Sequence, residues 1–209
     1  MPTLAIETAS EACSVALFGD DGCILAHAHE VIGRGHAEAL VPMIAGLPAK
    51  GRAGRILVSL GPGSFTGVRI GLATARALGL AWRADVHGYP TLALIAAQAQ
   101  AARPETPVTV CMNGGHGEWF VADFGARGMP EGEAASLTPE AALAHTGHPL
   151  VAGNRAEQWA AQRSGREALS LLPDATHALA IPAALITCDL APIYGRAPDA
   201  TPPKQRAAP

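Results

Sequence analysis

Apolar residues fall in three short runs at the start of the chain, over 3–8, 12–18 and 23–31. Polar turns separate them, and Asp20-Asp21-Gly22 has the composition of a hairpin turn. In the third run Ile24, Ala26, Ala28 and Glu30 alternate with Leu25, His27 and His29, the period of a strand. The pattern then changes to a helical one over 36–47, with Leu40, Met43, Ile44 and Leu47 on one face and Pro42 inside as a possible kink or break. A loop at 48–54 leads to an apolar strand at 55–60 and a helix at 67–82. A brief strand at 85–87 and an Ala-rich helix at 91–102, with Thr91 placed to cap it, complete the first half.

Residues 61–80, GPGSFTGVRIGLATARALGL, organise the rest. A buried strand, a Gly- and Pro-rich turn and a helix follow one another, and Ser64 and Thr66 both have side-chain oxygens able to cap the first free N–H groups. A helix terminus of this kind attracts anions. Inside the helix Gly67, Gly71, Ala75 and Gly79 recur every fourth residue and form one ridge. Glycine in a helix costs about 0.5–1 kcal/mol relative to alanine, so a close backbone neighbour along the ridge is expected. Only Arg69, Thr74 and Arg76 interrupt the apolar surface, which predicts burial on more than one side, against the helix's own sheet and against another chain.

The first half reads βββαβαβα, a mixed sheet with helices on its faces. That is the pattern of the ribonuclease-H-like half-domain of the actin, Hsp70 and sugar-kinase superfamily (ASKHA), an α/β class. A polar hinge at 103–107 divides the chain into an N-terminal lobe, 1–103, and a C-terminal lobe, 104–196, followed by a loose Pro-rich tail, 197–209. The second lobe shows strands at 108–112, 118–124 and 149–152, with a Gly-rich turn at 113–117. A short helix spans 138–144 with Pro139 in its first turn, another spans 155–162 under an Asn154 cap, and Pro182 divides a last helix at 176–189. No tandem repeat is visible.

At 209 residues the chain suits one or two compact domains. Apolar residues make up 49% and charged residues 16%, against a usual charged share of about 25%, which favours a large buried interface. A net charge of −3 is not the footprint of an autonomous nucleic-acid binder, so any RNA role needs another subunit to supply positive surface. The four cysteines are scattered without a CxxC pair and read as reduced, structural thiols of a cytoplasmic protein. The first residues lack the basic and apolar regions of a signal peptide, and the longest apolar stretch carries Arg69 and Arg76, so neither secretion nor a membrane span is expected.

The glycine turn fails the common catalytic templates. Val68 stands where a Walker A loop needs its Lys, the spacing of Gly61, Gly63 and Gly67 is too wide for GxGxxG, and Pro62 stands two residues before Ser64 where a nucleophile elbow needs Gly. ATP-binding members of the actin-like superfamily carry an Asp in the first strand and a Gly-rich hairpin after it; here the stretch reads Glu7-Thr8-Ala9-Ser10, one acid and no glycine. Glu7 retains the chemistry to hold Mg²⁺ through water. His145 and His148 read as surface residues, as do His27 and His29, while His36 opens a helix as an interface or capping residue.

The run GPGSFTGVRIG at 61–71, after a strand and opening a helix, resembles the signature of the TsaB (YeaZ-type) family. LAIETASEACSVAL at 4–17, HAEALVP at 36–42, GEWF at 117–120 and PIYGR at 192–196 are similar to further family segments. Members are a subunit of the bacterial machinery that makes threonylcarbamoyladenosine in tRNA. The resemblance implies a two-lobed actin-like fold and a non-catalytic scaffold. That scaffold activates the paralogue TsaD for transfer of a threonylcarbamoyl group to the adenosine 3′ of the anticodon. TsaD holds its metal through a His-x-x-x-His motif, a spacing absent among the eight histidines here. An ATPase, TsaE, joins the complex, and tRNA is reached through it.

The family pairs with TsaD through the two N-lobe helices, and alone dimerises through much the same surface. With the small-residue ridge, this marks His36, Leu40, Met43, Ile44, Gly67, Ile70, Gly71, Thr74, Ala75 and Leu78 as candidate interface residues. Glu7, Gly61, Gly63, Ser64, Phe65, Thr66 and Arg69 are the candidate nucleotide-proximal set. No catalytic residue, metal or cofactor is assigned to this chain alone, and the resemblance leaves room for ATP or ADP and a TsaD-held metal in the complex. Asn113-Gly114-Gly115 stands where the family often has Asp-Ala-Arg, which removes any contact made by that Arg. The alternatives are an actin-like ATP-dependent phosphotransferase acting alone, and a peptidase, for which no nucleophile–base pair is visible.

Overall fold

β1 (Thr3–Glu7) is the axis of the first half, in a computed structural model that describes residues 1–162 and 164–195. It pairs antiparallel with β2 (Ala12–Phe18), which pairs antiparallel with β3 (Ile24–Val31). On its other side β1 runs parallel to β4 (Arg55–Ser59), and β4 to β5 (Asp85–Tyr89), giving the order β3-β2-β1-β4-β5. Every residue of β1 and β2 is buried, so their near-continuous apolar runs serve both faces. Leu4, Ile6, Val15, Ile56 and Val58 meet α1 (His36–Gly46) and α2 (Phe65–Trp82) on one face. Ala5, Ala16 and Leu57 meet α3 (Thr91–Ala102) on the other.

A second sheet repeats this plan. β6 (Val108–Asn113) and β7 (Trp119–Phe124) form an antiparallel pair, β8 (Ala135–Leu137) flanks β7, and β9 (Leu150–Ala152) and β10 (Glu167–Leu169) run parallel beyond β6. The order β10-β9-β6-β7-β8 is that of the first sheet, strand for strand. The short helices α4 (Pro139–Ala144) and α5 (Ala156–Ala160) hold the places of α1 and α2, and their Ala142, Ala156 and Trp159 cover Cys111, Val121 and Val151. The structure therefore contains a duplication that the sequence conceals, since β8, β9 and β10 have only three residues each. The two sheets share one core around α3, whose Leu92 to Ala97 are all buried. A helix enclosed on every side is apolar all round, and its alanines let both sheets approach.

Several local expectations are corrected. Pro42 does not break α1. Thr91 is not a cap; Pro90 holds that position, and the Thr91 hydroxyl shares a 2.6 Å hydrogen bond with Ser59. Asn154 does not cap α5 but accepts a hydrogen bond from the Asn113 N–H at 2.7 Å. In place of a last helix there are two 3₁₀ turns, Ala175–Ala180 and Ala183–Leu185. Cys13 and Cys111 are buried free thiols, whereas Cys23 and Cys188 are free but exposed, so only the first pair is part of the packing. Arg196 and the tail at 197–209 lie outside the described residues.

The glycine ridge of α2 faces its own sheet, not a partner. A Cβ at Gly67 would overlap the Thr8 carbonyl oxygen, and one at Gly71 would lie 2.5 Å from the Thr8 hydroxyl oxygen. The Thr8 hydroxyl donates to the Gly67 carbonyl at 2.8 Å, fastening helix to strand at that point. Gly67→Ala is expected to destabilise the chain by about 1–3 kcal/mol, because helix and strand must separate to admit the methyl group. Urea unfolding would show this as a lower midpoint at unchanged slope, and an unaltered midpoint would refute the contact.

Candidate functional site

Two turns from the first half meet at the floor of a cleft between the two sheets. Ser64 caps α2 by accepting the Gly67 N–H at 3.1 Å, and its own N–H donates to the Ala9 carbonyl at 2.7 Å. Gly63 lies against Ala9, where a side chain would collide with the Ala9 carbonyl. Thr66 is not the cap; it lies in the first turn of the helix. The cleft has a volume of about 920 Å³ and reaches from Ala9, Ser10 and Glu11 to Asn113–His116 and Phe120.

Each lip of the cleft is fastened. On one side Asn154 donates to the Glu11 carboxylate at 2.9 Å, and Arg155 donates to Asn113 at 3.0 Å. On the other, the C-terminal segment returns to the first half. Thr187 bridges to Gly88, Arg76 donates to the Leu190 carbonyl at 3.0 Å, and the Ile193 N–H donates to the Leu60 carbonyl at 2.7 Å. Tyr194 closes the strap: Arg69 donates to its hydroxyl at 2.9 Å while the guanidinium lies 3.4 Å from the centre of the Phe65 ring. Phe65 and Tyr194 are 5.9 Å apart, so the cation is stacked by one ring and flanked by the other.

The nucleotide-proximal candidates separate. Gly63, Ser64, Phe65 and Arg69 line the cleft, whereas Gly61, Thr66 and Glu7 do not. Glu7 is fully buried beneath the floor, where Oε1 accepts the Ala9 N–H at 2.6 Å and Oε2 has no hydrogen-bond partner. Burial pushes its carboxyl up from 4.5 to about 7 against the pull of the Ala9 N–H. A metal-bound nucleotide, held as the actin-like fold holds one, needs an acid at the end of β1 open to the cleft and a hairpin loose enough to reach phosphate. Neither is present: Glu7 is covered, the Ala9–Ser10 turn is locked to Ser64, and Glu11 is already bonded to Asn154. The residues do not fit that group.

The candidate interface residues also separate. His36, Leu40, Ile44, Gly67, Gly71 and Ala75 are buried within the chain. His36 bonds through Nε2 to the Ala12 carbonyl at 3.2 Å, the role of a core histidine and not of an interface residue. Gly67, Gly71 and Ala75 belong to the ridge fitted to the sheet, and His36, Leu40 and Ile44 lie on the buried side of α1, so in the single chain these six expose little surface to a partner. Met43, Ile70 and Leu78 pack on the core while keeping part of their surface open, as does Thr74. The exposed surface of the two helices carries apolar residues outside the candidate set, Val41, 55% exposed, Leu80, 85% exposed, and the exposed Ala73 and Ala77, together with the exposed Arg69 and Arg76. Leu80 lies one position from the ridge residue Gly79, and projection on a helical wheel separates the two. His145 pairs with Asp123 at 2.7 Å and His148 with Glu131 at 2.9 Å, on the second half away from the cleft lips. Among the described residues no three His, Cys, Asp or Glu side chains converge as a metal site, and no helix is long and apolar enough to cross a membrane.

Two sheets of one topology facing a shared cleft define a two-lobed protein of the actin-like (ASKHA) fold. The family model described as TsaD, tRNA N6-adenosine threonylcarbamoyltransferase, matches residues 28–179. The tRNA threonylcarbamoyladenosine biosynthesis protein TsaB of Escherichia coli is 37% identical over 129 residues, covering 59% of this chain and 55% of that protein. The TsaB of Haemophilus influenzae is 40% identical over 106 residues, covering 47% of this chain and 42% of that protein. The chain thus spans about half the length of the curated relatives it matches. YeaZ from Pseudomonas aeruginosa superposes with a TM-score of 0.72 at 28% identity, covering 86% of this chain and 89% of that one. The chain belongs to the TsaB family.

Glu7 gives the site a pH signature. A carboxyl raised to about 7 in the folded state is protonated there over a range where the unfolded chain has lost its proton. Stability therefore falls as pH rises from about 4.5 to about 7, by about 3 kcal/mol in total. Glu7→Gln is expected to remove this slope, read as the pH dependence of the urea midpoint between pH 4.5 and 8. Parallel curves for the two proteins would show that Glu7 is not the group responsible.

Proposed function

We propose that this chain is a non-catalytic subunit in the formation of threonylcarbamoyladenosine in tRNA, and that it binds the TsaD paralogue through the outward face of α1 and α2. The observation that carries this reading is Leu80, an apolar side chain 85% exposed, on a helix that also exposes Ala73 and Ala77 and that packs against α1, where Val41 is exposed. Such a patch costs solubility unless a partner covers it. Met43, Ile70 and Leu78 pack on the core while keeping part of their surface open, which adds apolar area to these helices. The chemistry, with its metal and ATP, falls to TsaD and TsaE in the cytoplasm, and tRNA is met through the assembled complex.

The cleft does not favour the phosphotransferase alternative, because its one acid at the end of β1 is buried and its cation Arg69 is held by Tyr194 and Phe65. A peptidase would need an exposed nucleophile beside a base. Ser64 is exposed, but its hydroxyl caps the helix.

Reconstitution with a matched TsaD and TsaE, ATP, an activated threonylcarbamoyl donor and tRNA tests the reading. Modified adenosine is expected only when this chain is present, with light scattering giving a one-to-one pair with TsaD. Modification indifferent to the chain would overturn it. Leu80→Glu is expected to weaken TsaD binding at least about tenfold, as loss of an interface anchor does, with the urea midpoint unchanged because the side chain is exposed. An unaffected affinity would remove α2 from the interface.

A further inference from the structure

Phe65 and Tyr194 are the two exposed aromatic side chains, at 57 and 50%; Trp82 is half-buried and the others lie in the core. The exposed two stand together at the cleft, at the end of α2 opposite Leu80 and about 22 Å of helix away from it. The strap does not account for their exposure. It uses the Tyr194 hydroxyl, which accepts from Arg69 at 2.9 Å, and not the face of the ring. Phe65 meets that ring tilted by 34°, and the guanidinium on Phe65 stands 5.7 Å from the Tyr194 centre. An aromatic plane is thus held in position by its edge and its hydroxyl, with much of its face in water.

We propose that the cleft takes an unpaired base of RNA, stacked on the ring of Tyr194 with Phe65 and Arg69 behind it. That the RNA is the anticodon loop of tRNA rests on the function proposed above; the stacking site itself does not. Exposed rings backed by a guanidinium bind bases of any sequence, because every base has a π face. The cleft, at about 920 Å³, lies within the range of about 300–1,000 Å³ that encloses small molecules. Its one lining acid, Glu11, is bonded to Asn154, so no open carboxylate faces a phosphate or recruits a cationic ligand. The far lip is low: Gly114 and Gly115 have no side chains, and a Cβ at Gly115 would meet nothing within 4 Å. Exposed His116 follows them and offers ring nitrogens to the edge of a base, and exposed Arg34 follows the lining residue Gly33. A net charge of −3 bars binding through many phosphates, but stacking needs few, and the expected salt dependence is shallow. Positive surface for the rest of the tRNA still falls to another subunit.

The test is binding of a labelled anticodon stem-loop RNA to the full chain, read by fluorescence anisotropy, against a fully paired duplex of equal length. The stem-loop is expected to bind about tenfold more tightly, because only its loop presents unstacked bases. Tyr194→Leu removes the platform and is expected to weaken binding about tenfold, the worth of one base stack. Tyr194→Phe keeps the ring, loses the bond to Arg69, and is expected to bind as the unsubstituted chain does. Gly115→Trp puts a large side chain into open space at the lip and is expected to obstruct the cleft, with the urea midpoint unchanged. Ultraviolet cross-linking is expected to join RNA to Tyr194 or Phe65. No anisotropy change, equal binding of stem-loop and duplex, full binding by Tyr194→Leu, or cross-links confined to other residues would each overturn the proposal. Displacement of the RNA by an equal concentration of AMP would overturn it in favour of a free nucleotide, and loss of RNA binding on adding TsaD in favour of a protein interface. Leu80→Glu, which separates the chain from TsaD, is expected to leave RNA binding unaltered, so the failure of this inference and that of the pairing are read separately.

Discussion

The backbone contact between α2 and the end of β1 governs the architecture. With glycine at 67 and 71 the helix descends until Thr8 holds its carbonyl, and that depth places Ser64 where its N–H reaches Ala9. One steric condition, the absence of two side chains, thereby sets the distance between helix and sheet, the shape of the cleft floor and the direction in which the rest of α2 points. The glycine cost within the helix, about 0.5–1 kcal/mol each, is offset by this packing. Because the ridge is committed to the sheet, the other side of α2 is released for external contacts. Close packing inward and apolar exposure outward are two results of the same four-residue spacing.

Much of this was legible in the residues. The strands at β1, β2, β3 and β4 and the helices α1, α2 and α3 stand close to where periodicity puts them, because each has enough residues for a period of two or 3.6 to repeat. β8 and β10 were invisible for the opposite reason, since three residues cannot display a period. The segment after Asp174 misled because alanine favours a helix wherever length permits, while Pro182 and the return to Gly88 demand an extended path. At the site, the glycine run announced a close approach but not its partner. A spacing of four identifies a ridge, and only the third dimension says which neighbour fills the groove.

Glu7 and Arg69 are the ionisable groups nearest the cleft floor and its strap. In each case the charged group is present but already satisfied or covered: one beneath Ala9, the other between two rings. Tyr194 and Asn154 neutralise the hydrogen-bonding capacity of the lips by using it to hold the halves together.

The strap from Thr187 to Tyr194 has a consequence for how the molecule opens. The chain leaves the first half once, at the end of α3, and comes back to it at the other end, so the second half is tethered at both its termini to the same body. A domain held by one linker can swing; a domain held by two, through anchors on β5 and α2, is confined to small shear about the line joining them. The chain thus closes a loop through its own hydrogen bonds, with α2 contributing Arg69 and Arg76 as anchors for the returning strap.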